Sequence, residues 1–320
     1  MKMISCRDNT LDVDVSPIFK YIGGKRWLSD RLNEELSGKN KLVYSDVFCG
    51  GLGAFTSIAS MLSREKYEVV ELNDINAQVI SVYENAINKS EDLLFELDLL
   101  HSQFISSIPE FEYIKTLSKK DDKAEIKGLL SDAELYFIGI RSIYNELKFI
   151  KPSVRSSALL IMIQMLSFNG IYRENRQGLY NVGFCWDAKN FFNLIEDRIL
   201  KFSRLKDVFD IRFSSLDFRD FNYSNDNLFY LDPPYTELNK TNSKMCYSAG
   251  AFSIDDQMEL IDLINGKTFV YSNHFNDDIV ERFYGMGDNV KIEIIERGNT
   301  ISSKASDRGF KIKEILVSGK

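Results

Sequence analysis

The 320 residues predict an α/β fold: a parallel sheet, a mainly helical insertion and a C-terminal antiparallel hairpin. Three features carry this expectation. KLVYSDVF (41–48) and YEVVEL (67–72) are short apolar runs, joined by GGLGAFTSIASML, a glycine turn entering a helix. A strand–loop–helix–strand unit of this kind builds parallel sheets. From about residue 86 to 204 the strand signals stop and apolar residues recur at helical spacing. After 205 strand signals resume, and the chain closes on two runs that alternate with period two.

The residues up to about Ser16 are polar and read as a loose arm. YIGGKRWL (21–28) holds a Gly-Gly turn with Lys25 and Arg26 behind it. It reads as a turn with solvated cations, or as a loop closing over a ligand with Lys25 facing the ligand's carboxylate. FCGGLGAF follows the first strand, and its glycines permit positive φ or close approach of backbone N–H groups to a ligand. It is not G-x-G-x-x-G, and nothing in this loop resembles a phosphate-cradling GK[ST], which disfavours a dinucleotide fingerprint and ATP. Asp74 ends the next strand, beside that loop, where a carboxylate could bind a ribose diol. It could equally cap the helix AQVISVYENAI.

The middle of the chain reads as helices in EDLLFELDLLHSQF, AELYFIGIRSIYNEL and SSALLIMIQM. It then passes into IYRENRQGLYNVGF, a polar hairpin with arginines, aromatics and turn-forming Asn and Gly. DIRFSSLDF, NLFYLDPPY and KTFVYSN are the returning strands, and VKIEIIERG with GFKIKEILVS forms the final hairpin. The expected division is 1–85 and 205–320 for one α/β domain and 86–204 for the insertion.

Composition limits function. The net charge is −7, the wrong sign for phosphate binding, so a nucleic-acid face must come from local cations. No apolar run reaches membrane-spanning length, and no signal-peptide core is visible; a cytoplasmic protein is expected. Four scattered cysteines without CxxC and two histidines argue against a disulfide framework or a metal centre.

LDPPY (231–235) is the sharpest chemical signal. Two prolines end the strand, because they donate no ladder hydrogen bond and fix φ. The Pro233 carbonyl is then free to face a cleft. Asp232 adds an acceptor and Tyr235 a flat ring. Two acceptors beside a stacking surface suit an exocyclic amine on a planar ring, such as adenine N6. The same four residues also make a plain turn.

In order along the chain, FKYIGGK (19–25), FCGGLGAF (48–55), LNDIN (72–76), FNGIYRENRQGLYNVGF (168–184), LDF (216–218), LDPPY (231–235), YSNH (271–274) and ISS…R…K..EIL (301–316) resemble the motifs of the Dam-type, class alpha, N6-adenine DNA methyltransferases. The resemblance implies a Rossmann-like methyltransferase sheet, S-adenosylmethionine as cofactor, and duplex DNA as substrate, with no obligate protein partner and no metal. Tyr21, Gly23, Gly24 and Lys25 would cover the cofactor, and Phe48 with Gly50 would pack beneath its methionine end. Asp74 would take the ribose, and Asp217 and Phe218 the cofactor adenine. Asp232 and Pro233 would accept from the target N6, Tyr235 would stack on the base, and Ser272 and Asn273 would line the floor. The base would be flipped out of the helix. Lys20, Phe168, Asn169 and Arg173 would meet DNA, with Arg173 reading a guanine edge. Lys189, Arg198, Lys201, Arg204 and Lys206, and a strip at Arg297, Lys304, Arg308 and Lys311, could meet phosphates.

The chain departs from the pattern in places. Gly183 stands where GATC-specific members usually carry proline, Cys185 and Trp186 replace a glycine and a cation, and FCGGLG has an added glycine. GATC or a related short site is expected. The alternatives are methylation of RNA adenine or a glutamine amide, or a DNA-binding regulator with a relic cofactor pocket.

Overall fold

The structure is a computed structural model that describes residues 14–21, 23–65, 67–108, 128, 130–185, 192–235, 252–298 and 311–320. Its strands are β1 (Val43–Asp46), β2 (Val69–Asn73), β3 (Asp210–Ser214), β4 (Asn227–Leu231), β5 (Thr268–His274), β6 (Val290–Gly298) and β7 (Lys311–Gly319). Its helices are α1 (Ser29–Leu36), α2 (Gly53–Arg64), α3 (Ala77–Asn88), α4 (Ser90–Ser106), α5 (Ser131–Leu147), α6 (Val154–Met165), α7 (Phe192–Ser203), α8 (Ile254–Leu263) and α9 (Asp277–Tyr284). All seven strands form one sheet in the order β3-β2-β1-β4-β5-β7-β6. Strands β1 to β5 run parallel to one another, whereas β7 runs antiparallel to both β5 and β6. The expected α/β sheet with its closing antiparallel hairpin is therefore present.

The strand sequences explain the two-sided burial. In β4 all five residues NLFYL are buried. Leu228 and Tyr230 enter one hydrophobic cluster, while Phe229 and Leu231 enter the other. Strand periodicity sends alternate side chains to opposite faces, so a central strand covered on both sides is apolar on both; the polar Asn227 at the start of β4 donates to Ser45 Oγ and Glu71. Tyr271 and Phe269 of β5 and Ile315 and Val317 of β7 meet α8 and α9 on the second face. On the first face, Tyr44 and Val70 share a continuous core with Leu97 of α4, Phe137 of α5 and Ile161 of α6. These helices thus pack onto the sheet's own core.

Chain order reverses between β1 and β4. From β1 the chain moves outward to β2 and β3, then returns to the other side of β1. The carboxyl ends of β1 and β4 flank this crevice, which is where open α/β sheets bind ligands.

Residues 167–184 form the expected hairpin, with antiparallel bridges Ser167↔Phe184 and Glu174↔Tyr180. Its tip is closed by the Asn175 side chain, which accepts from the backbone of Gln177 and Leu179. One face of α5 fastens it down. Arg141 Nη1 donates to Val182 O at 2.9 Å, and Asn145 pairs with both backbone groups of Tyr180, at 2.7 and 3.1 Å. Lys148, one turn further, donates to Glu174 and to Gly178 O. The spacing 141, 145, 148 puts all three on one stripe of the helix. No helix among the described residues is long and apolar enough to cross a membrane.

Candidate active site

The glycine loop after β1 and the loop before α1 are in backbone contact. A Cβ on Gly53 would lie 3.2 Å from the Gly24 Cα, and one on Gly51 would lie 2.3 Å from the Tyr21 Cβ. Tyr21 also lies against Gly50, whose hypothetical Cβ would sit 3.0 Å from its ring. The added glycine of FCGGLG is therefore the one that Tyr21 requires. Gly50 has φ 46° and Leu52 φ 57°. The left-handed Leu52 is strained for a branched side chain and turns the chain into α2.

Asp74 belongs to this loop. Its Oδ2 accepts from Gly50 N and its Oδ1 from Asn76 N, both at 2.9 Å. Burial pushes its carboxyl up from the ordinary range, and those two amides pull it back. The helix-cap alternative for Asp74 is not what forms. Asn76 is the cap of α3, accepting from Gln78 N and Val79 N. Beneath Asp74, the buried Asn73 side chain ties Val47 O, Leu216 O, Ser214 Oγ and Leu216 N together. It locks the ends of β1, β2 and β3 to one another, a role that LNDIN conceals because the neighbouring acid draws attention.

Lys25 is not a solvated cation. Its side chain is 2% exposed and its Nζ sits 2.6 and 2.7 Å from the two oxygens of Asp232. It also donates to Tyr235 Oη at 2.6 Å and to Gly23 O at 3.2 Å. The solvated-turn reading holds for Arg26, which is exposed, and fails for Lys25. A lysine with three donors satisfies three acceptor groups here and so can be buried. Burial raises the Asp232 carboxyl, and Lys25 opposes that rise; Ser272 Oγ adds a weak bond at 3.3 Å.

The di-proline loop is held from below. Gln257 Nε2 donates to Pro234 O at 3.0 Å, and no described residue donates to Pro233 O. Tyr235 is stacked on His274, with centroids 3.9 Å apart and planes 20° apart. Asn273 is fully buried and bonds to Tyr271 Oη at 3.0 Å.

One residue of this edge escaped the sequence reading. Asp46 ends β1, is 1% exposed, and neither of its oxygens has a hydrogen-bond partner. Burial first, then the charges of Asp232 and Asp74, push its carboxyl well above the usual range. The nearby Phe48 backbone and Tyr44 hydroxyl offset only part of this, and neither reaches hydrogen-bonding geometry. The signal was available in SDVFCGG, an acid at the strand end directly before the glycine loop.

Aromatic rings line the β3 side. Phe48 packs with Phe218 at 5.9 Å and edge-on to Phe252 at 5.7 Å. Asp217 caps the short turn Phe218–Asp220 through Arg219 N and pairs with the Arg219 guanidinium at 3.2 Å.

The candidate DNA residues also converge. A Cβ on Gly170 would lie 4.0 Å from the Lys20 Cδ, and Gln164 Nε2 reaches Lys20 O at 3.4 Å. Phe168 is 59% exposed, and Asn169 beside it has φ 58°. Arg173 is exposed, its guanidinium steered by Asn181 Oδ1 at 2.9 Å and Asn181 O at 3.1 Å. Tyr172 stacks on Tyr21 at 5.7 Å, so the hairpin touches the glycine loops. Two of the other candidate cations are engaged within the protein: Arg198 binds Pro17 O and Ile18 O, and Lys201 pairs with Asp14 and Asp197. Lys189, Lys304 and Arg308 lie outside the described residues, as does most of 301–316. Among the described residues no cluster of His, Cys, Asp and Glu could hold a metal ion.

Over 95% of its length the chain is 27% identical to the Type II methyltransferase M.MjaIII of Methanocaldococcus jannaschii, covering 99% of that protein. It is 26% identical to the Type II methyltransferase M1.LlaDCHI of Lactococcus lactis, with 95% of each chain covered. It is 24% identical to a DNA adenine methylase of Vibrio cholerae over 93% of this chain and 94% of that one. The profile of one family matches residues 21–293, a span that takes in both glycine loops, the hairpin and LDPPY, and the chain belongs to that family, the D12 class N6 adenine-specific DNA methyltransferases.

Proposed function

We propose that this enzyme moves the methyl group of S-adenosylmethionine to N6 of an adenine flipped out of duplex DNA, at GATC or a related short site. The observation that carries the reading is the Asp232 carboxylate, held in place by Lys25 beside the di-proline turn and Tyr235, at the crevice that also receives Asp74.

The residues fit the cofactor. Asp74 would accept from the ribose hydroxyls; its two bound amides leave lone pairs spare. Phe48 and Phe218, with Asp217, would take the purine. Asp46, a buried carboxylate without a partner, suits the cofactor's ammonium group. Tyr21 and the Gly23–Gly24 turn would cover it, with Gly50 beneath. When bound, S-adenosylmethionine supplies a methyl group on a sulfonium, open to direct in-line displacement.

The chain's own work is positional. Adenine N6 is a poor nucleophile because its lone pair is delocalised into the ring. Asp232 and the Pro233 carbonyl would accept hydrogen bonds from its two N–H groups and favour a pyramidal nitrogen aimed at the methyl group. Lys25 favours the ionised form of Asp232 against its burial, which matters because a protonated carboxyl would donate where it must accept. Tyr235 would hold the ring from one side, backed by His274. Such positioning and charge complementarity supply most of the acceleration in a direct transfer. Phe168 and Asn169 would wedge into the vacated stack. Arg173, steered by Asn181, would read a guanine, and Lys20 a flanking base. Residues 86–204 would form the target-recognition part.

The test is expression in a methylation-free host with genome-wide mapping of modified adenines, alongside labelled-methyl incorporation into duplex DNA, RNA and protein. Methyl-adenine at one short DNA site is expected, lost in Asp232→Ala with the fold retained. Full activity in that variant, or label only in RNA or protein, refutes the proposal.

A further inference from the structure

The di-proline loop is tied into a closed circuit that no motif announces. Gln257 lies on α8, is fully buried, and donates from Nε2 to Pro234 O at 3.0 Å. Its Oε1 accepts from Tyr271 Oη at 2.8 Å. Tyr271 Oη in turn accepts from Asn273 Nδ2 at 3.0 Å, and Asn273 Oδ1 accepts from His274 N at 2.7 Å. Tyr271 and Asn273 are also fully buried. Each direction follows from the first. A carbonyl only accepts, so the amide nitrogen of Gln257 must face Pro234. Its oxygen is then left to take the tyrosine proton, and the tyrosine oxygen is left to accept from Asn273. The two ends of this chain of bonds are the peptide that leads into Tyr235 and the backbone of His274. Those two residues stack on each other 3.9 Å apart, which closes the circuit.

Three fully buried polar side chains in an apolar layer are costly unless every bond is made. Apolar residues could fill this layer, packed between Leu260, Ile279 and Phe283, without that requirement. A simple strand stop after Leu231 needs only the prolines. The circuit instead constrains the orientation of one peptide plane and of two rings.

We propose that Gln257 is a positioning residue for methyl transfer: through Pro234 O on one side and Tyr271–Asn273 on the other, it sets the Tyr235–His274 ring pair against the target base. This rests on the function proposed above. Gln257 touches neither base nor cofactor. It acts by fixing the ring that does, and by keeping the short di-proline segment that carries Asp232 and Pro233 in one orientation.

The test uses the full chain and compares Gln257→Leu and Gln257→Glu with wild type. The readouts are kcat, KM for a duplex substrate and for the cofactor, fluorescence of 2-aminopurine at the target position, and thermal stability. Gln257→Leu is expected to lose about 10- to 100-fold in kcat, the usual cost of a misplacement near 1 Å, with KM for the cofactor unchanged. Gln257→Glu is the sharper variant. Its neutral acid can donate O–H to Pro234 O and accept from Tyr271, as the amide does, whereas its carboxylate cannot donate. Burial favours the neutral form. Its kcat relative to wild type, taken at each pH so that shared titrations cancel, should therefore rise as pH falls. A merely structural glutamine would not produce that profile. Gln257→Leu with wild-type kcat, or a Gln257→Glu ratio flat with pH, overturns the inference while leaving the proposed function standing. A wild type that methylates no adenine sinks both.

Discussion

Replacing Lys25 by methionine isolates what its buried charge does. The ammonium touches three groups, and the Asp232 pair is made at 2.6 and 2.7 Å. Lys25 is 2% exposed and Asp232 17%. Losing one partner of a buried ion pair costs about 3–5 kcal/mol, because the other charge is left uncompensated. The partial exposure of Asp232 lets water reach the carboxylate and places the expected loss near about 3 kcal/mol. The pH dependence follows from the direction of the Asp232 shift. Burial already holds this carboxyl above its ordinary value, with Lys25 opposing. Without Lys25 it rises further. The folded state then binds a proton that the unfolded state releases. Stability contributed in this way is present below the unfolded pKa and is lost as pH rises through the folded one. The variant should therefore suffer most near pH 8 and recover part of its loss toward pH 5. Urea denaturation across that range measures it, and Lys25→Met combined with Asp232→Asn should be more stable than Lys25→Met alone at pH 8. A loss below about 1 kcal/mol at pH 8, the size of an exposed ion pair, would refute the reasoning, as would a loss independent of pH.

Three other outcomes are expected. Gly51→Ala forces a Cβ to within 2.3 Å of the Tyr21 Cβ, so it should cost about 1–3 kcal/mol by overpacking and weaken S-adenosylmethionine binding, read by denaturation and cofactor titration. Arg173→Ala should lose about 1–3 kcal/mol of discrimination at one base pair in methylation assays on substituted duplexes, and Asn181→Ala less, since it only steers the guanidinium. Asp46→Asn removes a carboxyl whose folded pKa is raised by burial; the cost it lifts is absent below the unfolded pKa and grows as pH rises. The variant should gain stability over wild type at pH 8 but not at pH 4, while binding the cofactor less well, by denaturation and titration at both pH values.

Much of this was legible in the chain because it is local. Strand patterning, glycine turns and an acid at a strand end are written within a few neighbouring residues, and seven strands and the hairpin form where the patterning puts them. What joins distant segments was not legible. Lys25 and Asp232 are 207 positions apart, and nothing near Lys25 distinguishes it from the exposed Arg26 beside it. Asp74 and Asn76 are both good helix caps by composition, and only the position of Gly50 relative to the strand end decides which one caps. The second glycine of FCGGLG looked like a departure until Tyr21 was seen lying on it. Gln257 sits in an ordinary amphipathic helix, where a polar residue on the buried side carries no local mark.

The fastening of the hairpin to α5 bears on how such an enzyme can change its target. Arg141, Asn145 and Lys148 grip the main-chain carbonyls of Val182, Tyr180 and Gly178. A carbonyl is the same whatever side chain it carries. Exposed positions such as Arg173, Arg176, Gln177 and Asn181 can therefore be exchanged without loosening the grip. The scaffold holds the hairpin by its frame and leaves its letters free, so, if the hairpin reads the target as proposed, specificity can drift through single substitutions while the catalytic edge stays untouched.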